Sequence, residues 1–162
     1  MYSPTFRLGS NSSFDSGCSN IFSLLDMYRL ISFLTSKVYK KHLKSCINHT
    51  VNSQSDDMLE VAIPIDIDGN IIQTLIKSII ERQKSEPHYN FDSNEQIELD
   101  YIVAMHYNLG LVDLLEIENW YARRYPKLVA AQKENLAKLG KPTNYITLYK
   151  QYKPEEYPRY VN

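Results

Sequence analysis

The sequence predicts an α+β fold, a small mixed sheet of about three strands packed with five or more helices. Three observations carry that prediction: two β-prone runs near the N-terminus, an apolar run of period two at 58–67, and helical apolar spacing through most of the remaining chain. Of 162 residues, 43% are hydrophobic and 23% are charged, which excludes global disorder, a collagen-like chain and a supercharged nucleic-acid binder. The length fits one small domain with an extension.

Thr5 to Leu8 reads as a short strand stopped by Gly9, and Gly9 to Asn20 as a Ser/Asn/Gly-rich loop. Ile21 to Leu25 extends as a second strand, forming a long-looped hairpin with the first. From Met27 to Val38, the residues Met27, Leu30, Ile31, Leu34 and Val38 recur at helical steps. Thr35 and Ser36 can cap a second helix within this stretch, so two short helices are expected rather than one. His49 to Asp57 is polar and reads as a surface loop. In MLEVAIPIDI, Met58 to Ile67, Leu59, Val61, Ile63, Ile65 and Ile67 alternate with other residues. That pattern predicts a half-buried strand, with Pro64 confining it to an edge or an end.

Asp68 caps a helix carrying Ile71, Ile72, Leu75, Ile76, Ile79 and Ile80 on one broad face. Ser93 and Gln96 match a capping box ahead of a helix over Glu95 to Tyr107, with Ile97, Tyr101, Ile102, Val103 and Met105 inward. Gly110 breaks it, and Leu111 to Tyr125 forms the next helix, ending before Pro126. A tail helix from Leu128 to Leu139 stops at Gly140-Lys141-Pro142, a glycine cap followed by proline. Domain organisation follows: a core over 1–125 and a basic, Tyr-rich helical extension over 126–162.

Near-neutral overall charge, formally −1, conceals a division along the chain. Residues 1–120 hold 9 Lys+Arg and 16 Asp+Glu, whereas residues 121–162 hold 9 and 3, with 7 of the 13 tyrosines. The basic residues of that tail, Arg123, Arg124, Lys127, Lys133, Lys138, Lys141, Lys150, Lys153 and Arg159, are scattered rather than clustered. They suggest phosphate neutralisation with tyrosine stacking as a subsidiary function.

Cys18 and Cys46 are too few for a disulfide framework or a four-cysteine zinc site, so a reducing compartment, cytoplasmic or nuclear, is expected. The apolar stretch Ile21 to Leu34 is interrupted by Ser23, Asp26, Arg29 and Ser32, and the N-terminus lacks a basic run followed by an apolar one. Neither a membrane span nor a secretory signal is expected. His42, Cys46 and His49 fall short of a zinc ligand set. Asp66-Ile67-Asp68-Gly69-Asn70 resembles the start of a calcium loop, but Lys77 stands where the bidentate glutamate belongs. No nucleophile elbow or phosphate cradle is present, and Glu116 and Glu118 read as solvated carboxylates on a helix face. No catalytic residue, metal or cofactor is expected, and the chain is read as not an enzyme.

FRLGSNSS with NIFSLL, SKVYKKHL, VAIPIDIDGNIIQTLIKSIIERQKSEP and YIVAMHYNLGLVDLL together resemble the BTB/POZ fold. Within it they resemble the branch holding elongin C and the F-box-binding adaptor of cullin–RING ubiquitin ligases. The resemblance covers residues 5–121. It implies a non-catalytic ubiquitin-ligase adaptor bridging a cullin and an F-box-type substrate receptor. His106 and Tyr107 would then face the cullin, and Leu111, Leu114, Leu115, Trp120 and Tyr121 the receptor helix. The alternatives are a homo-oligomerising BTB/POZ scaffold without a cullin and, less favoured, nucleic-acid binding through the tail.

Overall fold

The protein is described here by a computed structural model that covers residues 26–47, 57, 60–64, 69–86, 95–143, 146–147 and 150. Among these, the regular structure is entirely helical. Helix α1 spans Met27–Thr35, and its start is set by Asp26, whose carboxylate accepts hydrogen bonds from the Tyr28 N–H at 2.9 Å and the Arg29 N–H at 3.1 Å. Those bonds satisfy two of the donors that a helix leaves open at its first turn. Ser36 then adopts an extended conformation (φ −66°, ψ 153°) and ends α1. Its hydroxyl oxygen accepts from the Tyr39 N–H at 3.1 Å and so caps α2, Lys37–His42. A π-helical segment, Leu43–Ile47, continues directly from α2.

Helix α3, Gly69–Ser85, buries Ile72, Ile76 and Ile79, which lie four and three residues apart on one face. Helix α4, Gln96–His106, is central: α1, α2 and α3 all pack against it. Seven of its residues are buried on nearly all sides, so its sequence has no single apolar stripe. Helix α5, Leu111–Arg124, starts where the Gly110 N–H donates to Asp113 Oδ2 at 3.0 Å. It buries Leu111, Leu114, Ile117 and Tyr121 and packs on α2 and on α6, Pro126–Lys138. Pro126 occupies the first turn of α6, where its missing N–H costs nothing. At the other end, Gly140 (φ +63°) takes the left-handed conformation, with Lys141 N–H donating to Leu136 O at 2.9 Å and Gly140 N–H to Ala137 O at 3.1 Å. That pair of bonds is the Schellman closure expected of a Gly-x-Pro ending.

Three apolar clusters join the helices. Leu30, Phe33 and Leu34 of α1 meet Tyr39, Leu43 and Val103 in one; Tyr101 and Ala104 of α4 meet Leu114 and Ile117 of α5 in the second; Ile72, Ile76 and Ile79 of α3 meet Leu99 in the third. Each fully buried aliphatic side chain among these contributes about 1.5–3 kcal/mol relative to exposure.

The expected α+β sheet is contradicted. Thr5 to Leu8 and Ile21 to Leu25 lie outside the described residues, as do Asp68 and Ser93. Of the third strand, residues 60–64 are described, and they form a turn, a bend and an irregular segment with no strand assigned. Val61 and Ile63 pack against the first helical cluster, and the Tyr107 hydroxyl donates to the Ala62 carbonyl at 2.5 Å. Within the described part of that run, the alternation marks Val61 and Ile63, half-buried against a helical cluster, between the exposed Glu60 and Ala62. A BTB/POZ core needs its sheet, so the resemblance does not extend to the fold. The ubiquitin-ligase adaptor function that rested on it, bridging a cullin to an F-box-type receptor, falls with it, as does the BTB/POZ scaffold alternative.

Of the anticipated capping box, Ser93 lies outside the described residues, and Gln96 does not take the capping role. Glu95 precedes α4 without a side-chain cap, and Gln96 turns inward, donating from Nε2 to Asp100 Oδ1 at 3.0 Å and to the Thr35 carbonyl at 3.4 Å.

Candidate functional site

The most heavily charged part of the interior lies where α2, α4 and α5 converge. Asp100 is wholly buried, and its Oδ1 accepts hydrogen bonds from the Lys37 backbone N–H at 2.8 Å and from Gln96. The Lys37 ammonium, also buried, lies 3.5 Å from Glu118 Oε1 and 4.0 Å from Asp100 Oδ2, and 4.9 Å from the centre of the Tyr121 ring. One cation thus joins carboxylates of α4 and α5 and the aromatic face that α5 buries. Burial drives the Asp100 carboxyl above its ordinary range, against the opposing pull of Lys37, Lys40 and the hydrogen bonds from Lys37 N–H and Gln96. Among the described residues, Asp100 Oδ2 and Gln96 Oε1 have no hydrogen-bond donor.

Glu118 and Tyr121 tie α5 to Lys37 of α2, with the buried side of α5 turned toward the core. Once Leu111, Leu114, Ile117 and Tyr121 face inward, the helical repeat puts Val112, Leu115, Glu116, Asn119 and Arg123 on the opposite face. Val112 is 58% exposed and Leu115 39% exposed, one helical turn apart. Trp120 borders this face, half-buried, its ring 6.4 Å from that of Tyr121, 6.5 Å from that of Tyr125 and 5.5 Å from the Arg124 guanidinium.

Cations that are scattered in sequence gather beside the same helix. Lys41 Nζ is 2.7 Å from Glu116 Oε1, and the Glu116 carboxyl is held below its usual range by that hydrogen bond and by the charges of Lys41 and Arg123. Lys44, in the π-helical segment, is lowered first by burial and then by the neighbouring Arg124 guanidinium, with Asp57 acting the other way. Short π-helical turns cost backbone regularity and recur at functional positions.

The residues expected to face a cullin are engaged internally. His106 Nδ1 is 2.7 Å from the Ile102 carbonyl, and Tyr107 packs on Phe33 with ring centres 5.7 Å apart. Burial pushes the Tyr107 phenol upward. Of the residues assigned to a receptor helix, Leu111, Leu114 and Tyr121 fill the core, whereas Leu115 and Trp120 reach the surface. Glu118, read as solvated, is instead largely buried beside Lys37. The sequence reading missed the Lys37–Asp100 junction, although Asp100 between Leu99 and Tyr101 on an apolar helix, four residues from Gln96, is a signal for it. Cys46 is exposed, as is His42, and His49 lies outside the described residues. Among the described residues, no group of three or more His, Cys, Asp or Glu side chains is placed to hold a metal ion, and no helix is long and apolar enough to cross a membrane.

No family model, no curated protein and no solved structure matches the chain.

Proposed function

We propose that the chain is a non-enzymatic helical module that binds another protein through the outer face of α5. The observation that carries this reading is the pair Val112 and Leu115, solvent-exposed aliphatic side chains one turn apart on a helix whose opposite face is locked into the core. The same face carries Arg123 and is bordered by Trp120, residue types that dominate the energetic centres of protein interfaces. The Lys37–Asp100–Glu118 junction supports the same role, because a face held rigid before binding loses less conformational entropy on association.

The test is a paired substitution, Val112→Asp with Leu115→Asp, expressed in cells at native level. Both side chains are exposed, so far-UV circular dichroism and the melting temperature of the purified variant stay close to wild type. After chemical crosslinking in intact cells, wild type is recovered in a complex larger than its own 18.9 kDa and the variant at the monomer mass. The same crosslinked complex in wild type and variant, or none in wild type, would refute the proposal.

A further inference from the structure

Resting on the reading of α5 as an interface, we propose that its partner is α5 of a second copy, laid antiparallel across a two-fold axis. The charge pattern of the exposed face carries the inference. Glu116 and Arg123 lie on the same face two turns apart, with Asn119 between them. A two-fold interface brings a surface against itself, so a helix can meet its own copy favourably only when its charges are self-complementary. Antiparallel α5 helices satisfy that condition: Glu116 of each copy meets Arg123 of the other. A parallel arrangement would instead oppose Glu116 to Glu116 and Arg123 to Arg123.

Other features of α5 agree with this register. The midpoint of the Glu116–Arg123 pairing falls between Asn119 and Trp120, which places the chain's single tryptophan beside the axis, where interface residues are most thoroughly dehydrated. Leu115 of one copy comes against Ala122 and the methylene stem of Arg123 of the other, which gives the exposed leucine an apolar neighbour. Lys41 engages Glu116 through Oε1, and the carboxylate has a second oxygen for the incoming guanidinium. A 14-residue helix is only about 21 Å long, so the contact belongs to the small, rapidly reversible class of interface.

The experiment uses the full chain, with sedimentation equilibrium and Trp120 emission followed as a function of protein concentration. Wild type is expected to self-associate, with an emission shift that tracks dimer formation. Glu116→Arg alone and Arg123→Glu alone each oppose two pairs of like charges and weaken association at least tenfold, while circular dichroism shows each still folded. Mixing these two variants in equal amounts makes both cross-pairs attractive again, and association returns to the wild-type level. In a parallel arrangement each single reversal would leave two like-charge contacts, as in wild type, so the loss of association in each variant is what marks the antiparallel one.

The inference is overturned if wild type stays monomeric to millimolar concentration, if neither reversal alters association, or if the mixture does not recover. A monomeric pure wild type whose Val112→Asp/Leu115→Asp variant nevertheless loses the larger complex seen in cells refutes only the second copy, and the interface reading stands. If neither set of substitutions changes any assembly, both readings fall.

Discussion

Asp100 provides the sharpest test of how α2 and α4 are joined beneath α5. Replacing it with alanine removes the acceptor of the Lys37 N–H, at 2.8 Å, and of Gln96 Nε2, at 3.0 Å, in a site with no access to solvent. A buried donor left without a partner costs about 1–3 kcal/mol. Breaking a buried ion pair costs about 3–5 kcal/mol when nothing else compensates the remaining charge. Here Glu118, 3.5 Å from the Lys37 ammonium, compensates part of it. Asp100→Ala is therefore expected to destabilise the fold by about 3 kcal/mol, in the lower part of the combined range. Asp100→Asn has a different outcome. Its amide oxygen still accepts the Lys37 N–H, and its NH2 replaces Oδ2, which has no donor among the described residues. Because burial already disfavours the charged carboxyl, the asparagine variant should lie within about 1 kcal/mol of wild type at pH 7. Urea unfolding followed by Trp120 emission and by circular dichroism measures both changes. Equal losses for the two variants, or a loss below about 1 kcal/mol for alanine, would refute the hydrogen-bonded junction as the element that joins α2 to α4.

Acid should reveal the same group through its sign. Folding raises the Asp100 pKa above its ordinary 3.8, so between 3.8 and the raised value the native state binds the proton more tightly than the unfolded chain. Stability from this group is thus highest below that window and falls as pH rises through it. The stability difference between wild type and Asp100→Asn moves in favour of wild type on acidification from pH 7 to pH 4, and a movement the other way would contradict the burial. Leu114→Ala empties a fully buried position between α4 and α5 and should cost about 3 kcal/mol, read from the urea midpoint. Gly140→Ala forces a Cβ into the left-handed conformation at φ +63° and should cost about 1 kcal/mol, measured as a lowered melting temperature without loss of helix content.

Helices were the legible part of this fold because apolar spacing of three and four survives without knowledge of what it packs against. The break at Ser36, the buried stripe of α3 and the glycine ending of α6 all lie where local chemistry puts them. The segment around Val61 misled for a physical reason. Alternation reports that one side of an extended chain is buried, and a helical surface can bury it as well as a sheet can. Helix α4 was harder to read because it is enclosed by neighbours, so inward and outward positions are not distinguished by polarity.

At the candidate site, Leu115 and Trp120 were legible as apolar residues on a helix. Their separation from Leu111, Leu114 and Tyr121 was not, since that depends on which way α5 is rotated. On α5 it is Glu118 and Tyr121 that meet Lys37 of α2, and Lys37 and Glu118 are 81 residues apart in the chain. The gathering of Lys41 and Lys44 with Arg123 and Arg124 is equally non-local, and in sequence these cations belong to segments of opposite net charge.

The outer face of α5 as a binding surface is the central claim, and site-specific crosslinking in cells reaches it most directly. A photo-reactive amino acid at Leu115 is expected to give a discrete adduct, at twice the chain mass if the partner is a second copy, while the same group at exposed Glu98 on α4 gives none. Leu115 and Glu98 yielding the same diffuse background would contradict the claim.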